Sequence, residues 1–440
     1  MAPPRTVLVA TVSVPAHTYN ATPFVTRLVA QGHRVHWYAD RAFHAHIERS
    51  GATPHAPSRA VAEPEQMDRL RDVRRAFEES FVGAAPTRLA DLRAVIEAEG
   101  VDVLLTDSLA YGAGLAAEAT GIPWASFGDG PLHFPDRDTP PFGSGLPRIT
   151  GWPWVLRNLV VGTISRRVVF GRAERRLRSV RHAAGLGGGG GSVLEANLSP
   201  YLHLHGATAG FEYPRAHLPE QVHWVGALRP APSPQWRPPE WWDAVTAEGS
   251  RPLVLVGQGT IRGDMGELVV PAVRGLADLD VTVLVTSGRA TSDDVVRALD
   301  GRVPDNVLIE RFVPYDALLP HVDVFVTNGG YTGVTLALSH GVPVVQAGTT
   351  EEKADIGARI AYSGAGIRLA THRPSPQRVR DAVWRVLGDS PQRAAAARLQ
   401  EEMGRLDAGE LGAALLLELA AIRRPVHRSS TRRDGSGEPR

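Results

Sequence analysis

Between residues 322 and 345 the chain passes through an apolar run, the turn Asn328-Gly-Gly, a short helical pattern and a second apolar run. Few folds accept that order. Two buried strands joined through a helix lie parallel in one sheet, because a parallel pair needs a long crossover where a hairpin would make an antiparallel one. The turn also leaves N–H groups at a helix start, where the dipole favours negative charge. Gly329, Gly330 and Gly333 carry no Cβ to keep a bulky anion at a distance. A phosphate or diphosphate is the natural guest, although a tight turn without a ligand asks for the same glycines.

The same rhythm runs through the whole sequence. Short apolar strands are expected at residues 6–12, 33–38, 101–106 and 123–127, separated by helical segments that Gly32 and Gly51 stop. After a proline-rich stretch the pattern restarts at 252–256, 281–285 and 307–309. Apolar strands alternating with helices predict α/β architecture: two Rossmann-like, doubly wound parallel sheets. At 440 residues the chain is too long for one ordinary core. The expected division is a first domain over 1–228, a proline-rich linker over 229–250, a second domain over 251–405, a C-terminal helix over 406–422 and a disordered tail over 423–440. Ligands of such sheets sit at the carboxyl ends of the strands, so the two domains should face a common cleft. The glycine run 187–191 reads as a mobile loop.

Composition removes several classes of function. Lys+Arg number 48 against Asp+Glu 47, so no basic field argues for nucleic acid. Cysteine is absent, which excludes disulfides, thiolate zinc sites and a cysteine nucleophile. The N-terminus runs directly into the first strand with no signal-type apolar segment, and no apolar run approaches 18 residues, so a cytoplasmic protein without a membrane span is expected. Arginine supplies nearly all the positive charge. Lys353 is the one lysine, which suggests that its position asks for an ammonium.

Taken together the motifs resemble the GT-B glycosyltransferases of family 1, close to the actinobacterial members that glycosylate macrolides and other natural products. The resemblance covers nearly the whole chain. It rests on Gly257-Gln-Gly-Thr260, Arg311-Phe-Val-Pro-Tyr315, the Asn-Gly-Gly turn and Gly348-Thr-Thr-Glu-Glu-Lys353, with His17 and Asp107 in the first half. It implies that the four C-terminal motifs line a site for a nucleoside-diphosphate sugar. Gly259, Thr260, Asn328, Gly329, Gly330, Thr332 and Gly333 would hold the diphosphate. Phe312 would stack on the base, with the Val313 backbone reading its edge, and Glu352 and Lys353 would contact the sugar. His17 would be the general base and Asp107 the carboxylate that steadies its imidazolium. Read without the resemblance, His17 is one of sixteen histidines, Asp107 suits a helix cap, Phe312 suits a core, and Glu351-Glu-Lys353 suits a solvated helix start.

Four positions depart from the family pattern. Asn328 stands for a histidine, Thr332-Gly333 for Gly-Thr, Leu336 for a ribose-binding glutamate of many members, and Lys353 for glutamine. UDP-glucose is therefore the default donor only, with dTDP-sugars and others open. No cofactor or metal is required on this reading. Asp136-Arg-Asp138 reads as surface, and no His/Asp/Glu cluster has ligand spacing in the sequence. Phe134, Phe142, Trp152 and Trp154 suggest apolar walls for a hydrophobic acceptor. Two other classes share the fold and motifs: a catalytically silent nucleotide-sugar-binding protein, and a sugar-nucleotide epimerase or hydrolase.

Overall fold

The computed structural model describes residues 3–60, 70–134, 136–187, 192–229, 236–259 and 264–428. Two sheets, parallel throughout, dominate it. The first contains β1 (Thr6–Ala10), β2 (Arg34–Tyr38), β3 (Thr53–His55), β4 (Val103–Asp107), β5 (Trp124–Gly128), β6 (His203–His205) and β7 (Val222–Trp224), in the order β3-β2-β1-β4-β5-β6-β7. The second contains β8 (Leu253–Gly257), β9 (Thr282–Thr286), β10 (Val307–Glu310), β11 (Val324–Thr327), β12 (Val344–Gln346) and β13 (Gly366–Arg368), in the order β10-β9-β8-β11-β12-β13. In both, the chain moves outward from a central strand and then crosses back to its other side. That reversal opens a crevice at the carboxyl ends of the central strands.

The physical cause is in the strand sequences. β1, β4, β5 and β8 are buried at every position, as strands covered by helices on both faces must be. Each sheet accordingly has an apolar layer on either side. Val7, Val9, Phe24 and Leu28 belong to one layer of the first sheet, Leu8, Leu104, Leu92 and Trp124 to the other. Leu255, Phe325 and Leu336 lie on one side of the second sheet, Val254, Val283 and Val326 on the other.

Two expectations about connections need correction. Part of 229–250 is not an extended linker: residues Trp242–Thr246 form a helix, and Trp236, Trp241 and Trp242 pack against the second core. Trp241 Nε1 donates to Glu310 at 2.8 Å. The prolines at 230, 232 and 234 lie outside the described residues, as do 188–191 of the glycine run and 429–440 of the tail. Residues 423–428 do not form a loose tail. Val426 is buried in the first core, its N–H donating to the Tyr201 carbonyl at 2.9 Å. The helix Ala408–Ile422 likewise returns to the first sheet, where Leu415, Leu416 and Leu419 share a core with Phe24 and Val25. Gly409 and Gly412 permit this approach, since a Cβ at either would strike the Pro23 carbonyl or the Phe24 ring.

Candidate active site

The carboxyl ends of both sheets supply the polar groups of the cleft. His17 lies on the short helix Pro15–Asn20 that follows β1, its side chain 18% exposed. Its Nδ1 stands 2.8 Å from Asp129 Oδ2 and 3.8 Å from Asp107 Oδ1. The Asp129 contact is oblique to the ring N–H, so it acts as an ion pair more than a straight hydrogen bond. Burial by itself would lower the histidine's pKa. Asp129, then Asp107 and Glu352, outweigh it and push His17 up to about 9. Burial also opposes the Asp129 charge, yet the histidine holds that carboxyl below its usual range. With Nδ1 occupied, Nε2 is the ring nitrogen left for a substrate hydroxyl.

The carboxylate nearest the histidine is therefore Asp129, just past β5, while Asp107, the partner the sequence suggested, stands farther off at 3.8 Å. Asp107 takes the alternative role of cap. It is fully buried, and its oxygens accept N–H groups from Val12 (2.6 Å), Leu109 (2.6 Å) and Ala110 (3.0 Å). It anchors the loop that carries His17 and adds negative charge at a distance. A strand-terminal aspartate in Gly128-Asp-Gly130 was the legible sign of Asp129.

On the second sheet, Asn328 and Gly329 follow β11, and Gly330 caps the helix Tyr331–Ser339. The N–H groups of Tyr331, Thr332 and Gly333 fall in its first turn, where no intrahelical acceptor exists. Gly329 has φ +97°, and a Cβ there would lie 2.8 Å from Gln346 Cγ; a Cβ on Gly330 would meet nothing within 4 Å. Gly330 thus leaves open space, whereas Gly333 turns its missing side chain towards Phe325 and Tyr315. Asn328 spends an amide N–H on the Gln258 carbonyl at 2.5 Å, tying the β11 loop to the β8 loop that holds Gly259. Thr260 lies outside the described residues.

Two glutamines unremarked in the sequence brace these loops. Gln258 donates to the Asp264 carbonyl (2.6 Å) and accepts from the Leu268 (3.1 Å) and Val269 (3.3 Å) N–H groups. Gln346, ending β12, donates to the carbonyls of Asn328 (3.0 Å), Gly348 (2.9 Å) and Lys353 (3.3 Å). A polar residue closing an apolar strand, as in Val344-Val-Gln346, was the available signal. Lys353 is buried and ion-paired with Glu351, whose backbone adopts φ +55°. It lines a cavity with Gln258, Asn328, Gly348, Thr350 and His372. Glu352 contributes to the field on His17, and its own carboxyl is pushed up by burial. Neither residue is a solvated helix end.

Phe312 is 68% exposed beyond β10, so it is not core, while Val313 beside it is buried. Leu336 packs inside the second core and offers no polar group to a ligand. The aromatic residues expected around an acceptor are not gathered into one wall. Phe142 packs on the His133 ring (4.2 Å), Phe134 meets His203 edge-on (5.7 Å), and Trp152 is 78% exposed. The Asp136 carboxylate accepts the Asp138 N–H at 2.8 Å and so makes a turn. Among the described residues, folding does assemble one potential metal-ligand group that spacing concealed: His36, His55 and Glu99, at the outer edge of the first sheet.

The lobes meet through buried polar contacts. Asn20 Nδ2 donates to Thr332 Oγ1 at 2.8 Å. Asp355 accepts the Gly143 and Gly145 N–H groups, both at 2.6 Å. Glu212 binds Arg359 Nε at 2.7 Å and accepts from the Tyr331 hydroxyl at 3.1 Å, while that hydroxyl contacts His205 Nε2 at 2.9 Å.

Two doubly wound parallel sheets facing a cleft, with a carboxylate-held histidine on one side and a glycine-opened helix start on the other, define a GT-B transferase. The crystal structure of the glycotransferase of kitacinnamycin has the same fold (TM-score 0.73, 23% identity, 96% of this chain and 100% of that one). Residues 272–407 match the family described as Erythromycin biosynthesis protein CIII-like, C-terminal domain. The chain is 39% identical to 4'-demethylrebeccamycin synthase of Lentzea aerocolonigenes over 416 residues, covering 91% of this chain and 96% of the relative. It is 34% identical to UDP-glycosyltransferase 2 of Phaeomoniella chlamydospora over 354 residues, covering 78% and 77%. The chain belongs to the nucleotide-sugar-dependent glycosyltransferases of this GT-B family.

Proposed function

We propose that this enzyme is an inverting, metal-independent O-glycosyltransferase that moves a hexose from a nucleoside-diphosphate sugar to a hydroxyl of a hydrophobic natural product, in the cytoplasm. The observation that carries the reading is His17, held by Asp129 at 2.8 Å on the lobe opposite the helix start at Gly330. His17 Nε2 takes the acceptor's proton as the hydroxyl oxygen attacks the anomeric carbon. The bond from that carbon to the diphosphate breaks, and its electron pair leaves on the phosphate oxygen. The first-turn N–H groups of Tyr331–Ser339 meet the developing charge, which is why a metal is not required. A single displacement of this kind inverts the anomeric centre.

Phe312 suits a stacking platform for the base, because it is exposed at a carboxyl strand end. Glu352 suits a sugar contact. Lys353, ion-paired with Glu351 and lining the cavity beside Asn328 and Gly348, suits a second sugar contact. UDP is the default nucleotide, in keeping with the name of the fungal relative. The absence of a carboxylate at Leu336 leaves the ribose loosely specified and dTDP a competitor. The Lentzea relative, a 4'-demethylrebeccamycin synthase, makes a natural product, in keeping with an acceptor of that class.

The test is turnover of UDP- and dTDP-sugars with and without phenolic, indolic and macrolide acceptors, with anomeric configuration read by NMR. Nucleotide release that depends on an acceptor, with inversion, is expected. Acceptor-independent release would make the protein a hydrolase, and donor binding without release would make it a silent binder.

A further inference from the structure

A surface helix ordinarily buries its apolar stripe and shows its polar face to water. The helix Trp152–Ile164 does the reverse. Its one buried residue is Asn158, whose amide donates to the Arg137 carbonyl at 3.1 Å. Trp152, Leu156, Leu159, Val160 and Ile164 are exposed, and Val168 extends the face along the π-helical continuation Ser165–Val169. Trp152, Leu156, Leu159, Val160 and Ile164 fall within about 140° of arc at a helical period. Most of the exposed large apolar side chains among the described residues are concentrated in this one stretch. A contiguous patch of this kind marks a binding surface.

Its charge is mostly of one sign, although Glu78 approaches Arg172 from another element, at 3.9 Å. Arg166, Arg167, Arg172, Arg175, Arg176 and Arg178 are all exposed on the continuation and on the next helix, Gly171–Ala183. Between residues 152 and 183 the only acid is Glu174, which stands 3.8 Å from Arg166 and so draws the second helix against the end of the apolar face. The chain as a whole is nearly neutral, at +1. A basic cluster bordering an outward apolar helix, with tryptophan at its start, is the chemistry of a segment lying in a lipid interface. Protein interfaces tend to exclude unpaired charge of one sign from their centre.

We infer that the helix Trp152–Ile164 and its continuation form a docking face for an anionic lipid bilayer. The apolar side chains enter the headgroup boundary while the neighbouring arginines meet lipid phosphates. No described helix is long and apolar enough to cross the bilayer, so contact is peripheral. The face belongs to the first lobe, and docking would bring that lobe to acceptors dissolved in the membrane. The inference does not depend on the donor or the role of His17.

Flotation of the full chain with phosphatidylglycerol/phosphatidylcholine vesicles, against pure phosphatidylcholine, tests it. Binding to the anionic vesicles only, weakened by added salt, is expected. Arg175→Gln with Arg176→Gln should weaken it about fivefold per charge removed. Leu159→Asp with Ile164→Asp should abolish flotation while leaving the circular dichroism melt and donor affinity unchanged. The proposal is overturned if wild type does not float with anionic vesicles, or if the Leu159/Ile164 variant floats equally well. A face covered instead by a second copy or another protein, with no vesicle binding, also overturns it.

Discussion

Asn20 Nδ2 donates to Thr332 Oγ1 at 2.8 Å, and the same amide lies 3.4 Å from Asp129 Oδ2. One buried amide thus links the histidine's carboxylate to the helix whose first turn faces the diphosphate. Thr332→Val keeps the shape and removes the nearer of that amide's two acceptors, a loss of about 1–3 kcal/mol. We expect kcat to fall about tenfold with a smaller change in donor KM. A double-mutant cycle with Asn20→Ala should give coupling of roughly 0.5–3 kcal/mol. Additive effects on kcat would show that the contact does not align the lobes.

His17→Ala should lower kcat by roughly a hundredfold to ten-thousandfold, the span of a positioned general base. Donor affinity, read by calorimetry, should stay near wild type. Equal rates in wild type and variant would remove His17 from the chemistry.

With His17 raised to about 9, most of the free enzyme carries an imidazolium at neutral pH. A base must first lose that proton, so kcat/KM should climb from pH 7 towards a plateau above 9. Asp129→Asn removes the main source of the upward shift and should move the limb to lower pH. The stability sign is that of a raised histidine. The contribution is full below 6.5 and is lost as pH rises through about 9. Melting temperatures of wild type and His17→Gln across that window should converge at its alkaline end.

Gly329 and Gly330 should respond differently to alanine. At Gly329 the positive φ and the Gln346 side chain both resist a Cβ, and a loss of about 1–3 kcal/mol is expected in denaturant melts. At Gly330 the Cβ meets open space. That variant should fold normally and bind donor more weakly. An unchanged donor Kd would place the diphosphate elsewhere.

Glu212 and Arg359 form a buried pair between the lobes, the carboxyl held well below its usual range against the cost of burial. Removing one partner strands the other, so Arg359→Met should cost roughly 3–5 kcal/mol in urea unfolding. A cost under about 1 kcal/mol would mean that water already reaches the pair.

The central strands were legible because a strand covered on both faces must be an apolar run, as β1, β4, β8 and β11 are. β6 was not, because His203-Leu-His205 looks polar. Each imidazole meets a partner far away in the chain, His203 with Ser126 at 2.9 Å and His205 with Tyr331 at 2.9 Å. The glycine turn and His17 announced themselves through residue type. Asp129 showed only as an aspartate beside a strand end and Asn20 not at all, because their meaning lies in which loops fold together. The shared hold of Asp107 and Asp129 on His17 is of the same origin: one ends β4, the other follows β5, and only the register decides which carboxylate stands nearer the imidazole.

The last helix has a practical corollary. Because Ala408–Ile422 is seated on the first sheet, the first lobe is discontinuous in sequence, and a chimaera spliced once at the proline-rich junction would mate a foreign helix to Phe24 and Pro23. Swapping acceptor halves between relatives therefore calls for two cuts, with residues 408–428 travelling alongside the amino-terminal portion.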